Sequence, residues 1–451
     1  MTIKKEEKVS KECITRNNKV TFLFTKLMRY MTFIMEHRMY ALFGAVGIVC
    51  IISVLFYTKA NSYPDVDSHI PATILAQQYG YDLEGYGLSF VYAKDIQDTY
   101  GNGTLRILTE GIKPDSFGHY RSAIGIQGFF YAWLYQTFGF GSIKPLYMFN
   151  AFLSALSVFV CAVLLGKIFY KAFGIIFFIS VFVIEDWVRR IGGSLYFSLA
   201  FWLFPAIIVF SLYIAIAQHN KLSKMMLFVS CLAYMFAIAL RASMSYEFIT
   251  SIILFSLSPF IVSFIYGLLS RTESTPPFMS IASGRAFKYG LGFFVLACVG
   301  FIIVFMVHTY IRGNGDLYIG LMDIYHHDFL RRMIGGDPKE FHPVYAASLN
   351  ANALDVITIY ITTGAKLFLI LFWISVFVCF VETNKDYRNF YIALIVCFAL
   401  PALSWFILGK SHSFIHRHFC FVLWYLGFWA SIWYVPLHYF YRKKIAQGYH
   451  H

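Results

Sequence analysis

Asn61-Ser62-Tyr63-Pro64-Asp65-Val66-Asp67-Ser68-His69 puts two carboxylates and an imidazole directly behind the first long apolar run of the chain, Met39 to Thr58. If that run crosses a membrane, this stretch is where the chain re-enters water, and ionisable groups there are costly unless paired or wetted. Pro64 restricts Tyr63 to extended geometry, and in an extended segment the spacing of Asp65 and Asp67 turns both acids to one side. Ile70, Ile74 and Leu75 then predict a helix along the membrane surface, capped by Asp67 or Ser68, with the acids at its start. The bland alternative is a helix cap in a solvated interfacial loop.

Working outward, the composition supports the membrane reading. Of 451 residues, 59% are hydrophobic, 20% aromatic and only 14% charged, which excludes an ordinary soluble globule. Lys and Arg number 37 against 24 acids, a net charge of +13. Basic residues at cytoplasmic helix ends and an anionic, phosphate-bearing lipid substrate account for that sign. No Gly-rich phosphate loop and no basic, aromatic-interleaved motif is present, so nucleic acid is not an expected partner. The eight cysteines are scattered without metal-ligand or CxxC spacing and read as buried small hydrophobes.

Hydropathy predicts an all-α polytopic membrane protein of about ten transmembrane helices. The spans fall near 39–58, 145–166, 173–188, 195–217, 224–242, 247–269, 289–309, 366–382, 389–408 and 417–438. Residues 1–38 form a cytoplasmic tail, read as retained rather than as a cleaved signal, with an amphipathic helix at 20–36. Residues 39–270 form an N-terminal membrane module and 271–451 a C-terminal one. Charge bias puts the N-terminus in the cytoplasm, and the expected location is the cell's inner (cytoplasmic) membrane. The long loops 59–121 and 310–365 then lie on the extracytoplasmic face. The first loop, with acids such as Glu84, is long enough to be functional, and a second surface helix is expected from Gly125 to Phe138.

Four further clusters are candidates on that face. Glu185-Asp186-Trp187-Val188-Arg189-Arg190 pairs acids with arginines whose forked guanidinium suits a phosphate; a self-paired helix end is the alternative. Arg241 follows the unbroken apolar run Ala233 to Leu240, where snorkelling is the alternative. Lys410-Ser411-His412-Ser413-Phe414-Ile415-His416-Arg417-His418 joins two apolar spans, and helical spacing sets His412 beside His416. Such a set could hold and protonate a diphosphate leaving group. The loop 310–365, with Arg312, Asp316, Asp323, His326, His327, Asp328, Arg331, Arg332, Asp337, Glu340 and His342 and the flat faces of Tyr310, Tyr318, Tyr325 and Tyr345, is expected to recognise a sugar or acceptor. His69 beside the two acids would complete a divalent-cation site for Mg or Mn, and the metal question stays open at this point.

The acidic Pro64-Asp65-Val66-Asp67 stretch after the first span, the helix Ile126 to Tyr135 closing on Gly139, the following Asn150 to Leu156 helix and the span ending Leu240-Arg241-Ala242-Ser243 together resemble the GT-C superfamily of integral-membrane glycosyltransferases. The resemblance covers most of residues 39–270, and His416-Arg417 is similar to that family's late phosphate-contacting basic groups. It implies a polyprenyl-phosphate-linked sugar donor and a glycan, lipid or protein acceptor. It further implies a first-loop catalytic acid at Asp65 or Asp67 and substrate contacts at Arg241, His416 and Arg417, while His69, Glu84, Arg189, Arg190, Lys410 and His412 are substrate-binding candidates from the residue reading alone. The chain departs from many members in lacking a large soluble C-terminal domain and in carrying Ala242 where proline often follows the arginine. A transporter or flippase of a lipid-linked glycan would line a path with the same charges, and an external glycan polymerase or ligase would use the external arginines and histidines without needing the first-loop acids.

Overall fold

The computed structural model describes residues 44–94, 96, 101–183, 186–219, 223–270, 276–334, 351–363 and 366–448. The helix expected at 20–36, Glu185, and the loop residues from Asp337 to His342 lie outside them. Two compact units result, Met1–Ile52 and Ser53–His451; the described part of the first is the opening of helix α1 (Gly44–Tyr57), and the second carries everything below.

In the second unit, α2 (Pro64–Asp67) and α3 (His69–Gln78) follow at once, then β1 (Ser89–Tyr92), α4 (Asn102–Glu110), β2 (Ser116–His119) and α5 (Ile126–Thr137). The apolar helices are α6 (Lys144–Ile168), α7 (Lys171–Val183), α9 (Leu199–Gln218), α10 (Lys224–Met244), α11 (Ile249–Ser256), α12 (Ser258–Leu269) and α13 (Ser283–Arg312), with the short α8 (Trp187–Gly193) after α7. Beyond α13 run α14 (Leu317–Ile324), a π-helical turn Tyr325–Leu330 and α15 (Arg331–Ile334). The C-terminal part contains helices Ala353–Thr363, Lys366–Val381, Lys385–Leu408, Lys410–Ile415, Arg417–Cys420 and Phe428–Gly448.

The chain is thus a mostly helical, multi-pass membrane protein, but the count of about ten spans is not reached. Among the described residues five helices are long and apolar enough to cross a membrane, or up to seven if each of two bent pairs is one span. The stretch expected to cross at 247–269 breaks at Leu257 with a bend of 61°, and α7 is only 13 residues long. The span expected at 417–438 is interrupted at Gly427, between the short helical turns Arg417–Cys420 and Phe421–Tyr425 and the 21-residue helix Phe428–Gly448; Gly427 takes a φ of +93° and lies so close to Phe398 that a Cβ would stand 2.1 Å from its ring. The all-α class holds, with one short antiparallel ribbon among the described residues: β1 pairs β2, Ser89 opposite His119.

The first loop is a small packed layer, not a set of surface helices. Eight consecutive residues of α3, His69 to Ala76, are buried, and Ala72 and Leu75 share a core with Val91, Ile96 and Ile107. Only α5 matches the expected surface helix, ending within a residue of both predicted bounds. Contacts sort the connecting segments into two groups at opposite ends of the long helices. At one end Gly125 N–H donates to Ser243 O at 2.8 Å, and His308 Nε2 lies 3.0 Å from Arg121 O. At the other, Met279 N–H donates to Ile168 O at 2.9 Å and Arg442 donates to Glu382 at 2.9 Å. The candidate residues of both halves gather at the first end.

Candidate functional site

Pro64 occupies the first turn of α2, where its fixed φ favours a helix and its missing N–H costs nothing. Tyr63 is not followed by extended chain, so the expectation that both acids face one way fails: two residues along a helix point to different sides. Asp67 turns inward and is 1% exposed, whereas Asp65 is exposed to solvent. Ser68 caps nothing with its side chain; its hydroxyl donates to Asp65 O at 2.8 Å.

The Asp67 carboxylate is held from across the fold. Its Oδ1 accepts from Ser194 Oγ at 2.7 Å and from the Tyr196 N–H at 3.1 Å. The turn supplying those donors is itself fastened by Asn150, whose amide donates to Gly192 O and Ser194 O, both at 3.0 Å, while its Oδ1 accepts from Tyr131 at 3.0 Å. Gly193 lets this turn close on the end of α1: a Cβ there would meet Phe56 O at 2.6 Å. Oδ2 of Asp67 is buried and has no hydrogen-bond partner among the described residues. Burial therefore pushes the Asp67 carboxyl up to about 7, against the pull of Ser194 and Tyr196.

The C-terminal cluster meets this region through aromatic rings. Tyr63 contacts Phe419 edge-on at 4.6 Å between centroids, and Phe419 stacks with His416 at 5.4 Å. His416 lies 4.7 Å from His412, as the helical spacing predicts. His412 Nε2 pairs with the buried Glu247 at 3.4 Å. Burial would raise the Glu247 carboxyl, but the His412 hydrogen bond and charge, with Arg332 and His416, outweigh it and lower the group to about 2. Lys410 is half-buried at the start of its short helix and Arg417 is exposed.

Beyond this lies a buried ionic ladder that the sequence reading did not assemble. Arg312 pairs with Asp323 and, at 2.8 Å, with Asp328; Asp328 pairs with Arg332 at 2.9 Å. The two arginines hold the Asp328 carboxyl below its usual range despite burial. The visible signal was the i,i+4 spacing of Asp328 and Arg332; the sixteen-residue reach to Arg312 depends on the turn after α13. Asp328 and Arg332 are the charged residues lining a cavity of 440 Å³ whose walls are mainly apolar or aromatic, among them Tyr246, Phe301, Phe305 and Trp405. Arg332 Nε is buried without a partner among the described residues.

Several expected contacts are committed elsewhere. Arg241 is fully buried and donates to Ser245 O at 3.0 Å and Glu247 O at 2.9 Å, closing the end of its own helix beside Trp202, so it neither snorkels nor presents its fork to a ligand. His69 is packed against Tyr120 and Phe90, with Nδ1 3.2 Å from Ser89 O, and burial lowers it to about 4. Arg189 pairs with Asp186, which Lys59 also contacts at 2.6 Å, the self-paired helix end. Arg190 lies 5.9 Å from the Trp187 ring. Glu84 is half-exposed, 3.5 Å from His119. With Asp65 outward, Asp67 inward and His69 turned to Ser89, these three do not form the Mg or Mn site; no trio of His, Cys, Asp or Glu suited to a metal occurs among the described residues.

No family model, curated protein or solved structure matches the chain.

Proposed function

We propose that this protein is a membrane glycosyltransferase that moves a sugar from a polyprenyl-phosphate-linked donor to an acceptor on the extracytoplasmic face of the cytoplasmic membrane. The observation that carries the reading is the contact between the first-loop segment that holds the acids and the segment that holds the late basic cluster, Tyr63 against Phe419 at 4.6 Å, together with a mainly apolar cavity that Arg332 helps to line. The cavity takes the first part of the donor's hydrocarbon tail, and the phosphate lies toward Arg332, His416 and Arg417. Arg332 Nε is free to donate.

Asp65 is the base on this reading, because a base must reach the acceptor and of the two acids only Asp65 is exposed. It takes the proton of the acceptor hydroxyl as that oxygen bonds to the anomeric carbon. The carbon–oxygen bond to the phosphate breaks, and the released phosphate keeps the electron pair, its charge met by the basic groups. Asp67 is a positioning residue that ties the turn carrying Asp65 to Ser194 and Tyr196.

The test is Asp65→Asn in nanodiscs with a radiolabelled polyprenyl-phosphate sugar and membrane extract as acceptor. Transfer falls at least about 100-fold, the scale of a lost general base, with thermal stability unchanged. Transfer at the wild-type rate removes Asp65 as base. Donor movement between leaflets without transfer in either protein favours the flippase alternative.

A further inference from the structure

A second cavity, of 420 Å³, lies between the surface helix α5 and the ends of α9 and α10, lined by Gln127, Phe130, Trp133, Phe201, Leu240 and Met244. It opens onto exposed apolar surface: Trp133 is 57% exposed, and Phe204 and Phe236 on the adjoining helices are 40% and 62% exposed. Its one polar side chain is Gln127, 2% exposed. Both amide hydrogens of Gln127 are committed, to Tyr196 O at 3.3 Å and Met244 O at 3.2 Å. Those two carbonyls fix the orientation of the amide, since a flipped group would set oxygen against oxygen. Oε1 is left buried with no partner among the described residues, an acceptor awaiting a donor.

We infer that this cavity binds the hydrocarbon chain of a second lipid, one whose headgroup carries a hydroxyl or amide donor for Gln127 Oε1. A purely apolar occupant would leave Oε1 unsatisfied, and an anionic group would meet no cation there. Gln127 is one residue from the site: the Tyr196 carbonyl accepts from Gln127 while the Tyr196 N–H donates to Asp67. Resting on the proposed function, this makes the acceptor a membrane-anchored lipid, with donor and acceptor chains entering from separate cavities, Met244 lining one and Tyr246 the other.

The experiment uses the full chain in nanodiscs and a diazirine-bearing hexadecanol, with labelled peptides mapped by mass spectrometry. Peptides spanning residues 126–133 label saturably, and unlabelled hexadecanol competes about five-fold better than its methyl ether, the equivalent of one hydrogen bond. Leu240→Trp, which fills the cavity, removes that labelling and leaves any labelling around Phe301 and Phe305 intact. Unsaturable labelling, equal competition by the ether, or persistence in Leu240→Trp overturns the inference, as does occupation of the cavity by another protein segment in a crosslink to α5. The readout is binding alone, so loss of the transfer reading by an active Asp65→Asn variant would leave these results standing.

Discussion

Replacing Asp67 by Asn keeps the side-chain shape and the Oδ1 contacts with Ser194 and Tyr196 but abolishes ionisation. In the wild type, burial raises the carboxyl from 3.8 to about 7. An acid with a raised pKa holds in the folded state a proton that the unfolded chain has released. The contribution of this carboxyl to stability is therefore greatest below about pH 4, falls as pH rises toward 7, and levels off above it. The whole shift corresponds to roughly 4 kcal/mol, of which roughly 3 kcal/mol is lost between pH 5 and pH 8. Asparagine adds an unsatisfied buried N–H, a cost of about 1–3 kcal/mol that does not vary with pH. Thermal unfolding in detergent, at one scan rate across pH 5 to 8, isolates the titration because other groups cancel between the two proteins. The melting temperature of Asp67→Asn relative to wild type climbs by a few degrees over that range. A gap that stays constant, or narrows in the opposite direction, refutes the argument that this carboxyl is buried without a partner for Oδ2.

Three other outcomes follow from the packing. Asp328→Asn leaves Arg312 and Arg332 facing each other without their shared anion, costing about 3–5 kcal/mol, read as a lower melting temperature and faster proteolysis between residues 313 and 334. Gly193→Ala forces a methyl against Phe56 O at 2.6 Å, and destabilisation of about 1–3 kcal/mol in thermal unfolding checks it. Arg241→Lys loses the two-carbonyl fork at Ser245 and Glu247, so it lowers stability by about 1–3 kcal/mol in the same assay while leaving the KM for the lipid donor unchanged.

The parts of this architecture written locally were readable in the chain. The helix from Ile126 to Thr137 and the long helices α6, α9 and α10 follow from apolar periodicity and length, and the adjacency of His412 and His416 follows from helical spacing. What was hidden depends on distant partners. Pro64 permits either an extended chain or a helix start, and only the Ser194 and Tyr196 donors, more than 120 residues away, draw Asp67 inward and leave Asp65 outside. The break at Gly427 lies against Phe398, and the buried role of Arg241 is set by carbonyls beyond its own helix end. Arg332 was visible only as one charge in a polar loop, because its cavity is assembled from four separate segments.

The π-helical turn Tyr325–Leu330 sits between two α-helical pieces, and Asp328 within it faces both arginines. Such a turn amounts to one residue inserted into an α-helix. Excising that residue would rotate everything downstream by about 100°, swinging either the anion or Arg332 out of register with Arg312. The number of residues in this turn is thus as constrained as any charge it carries.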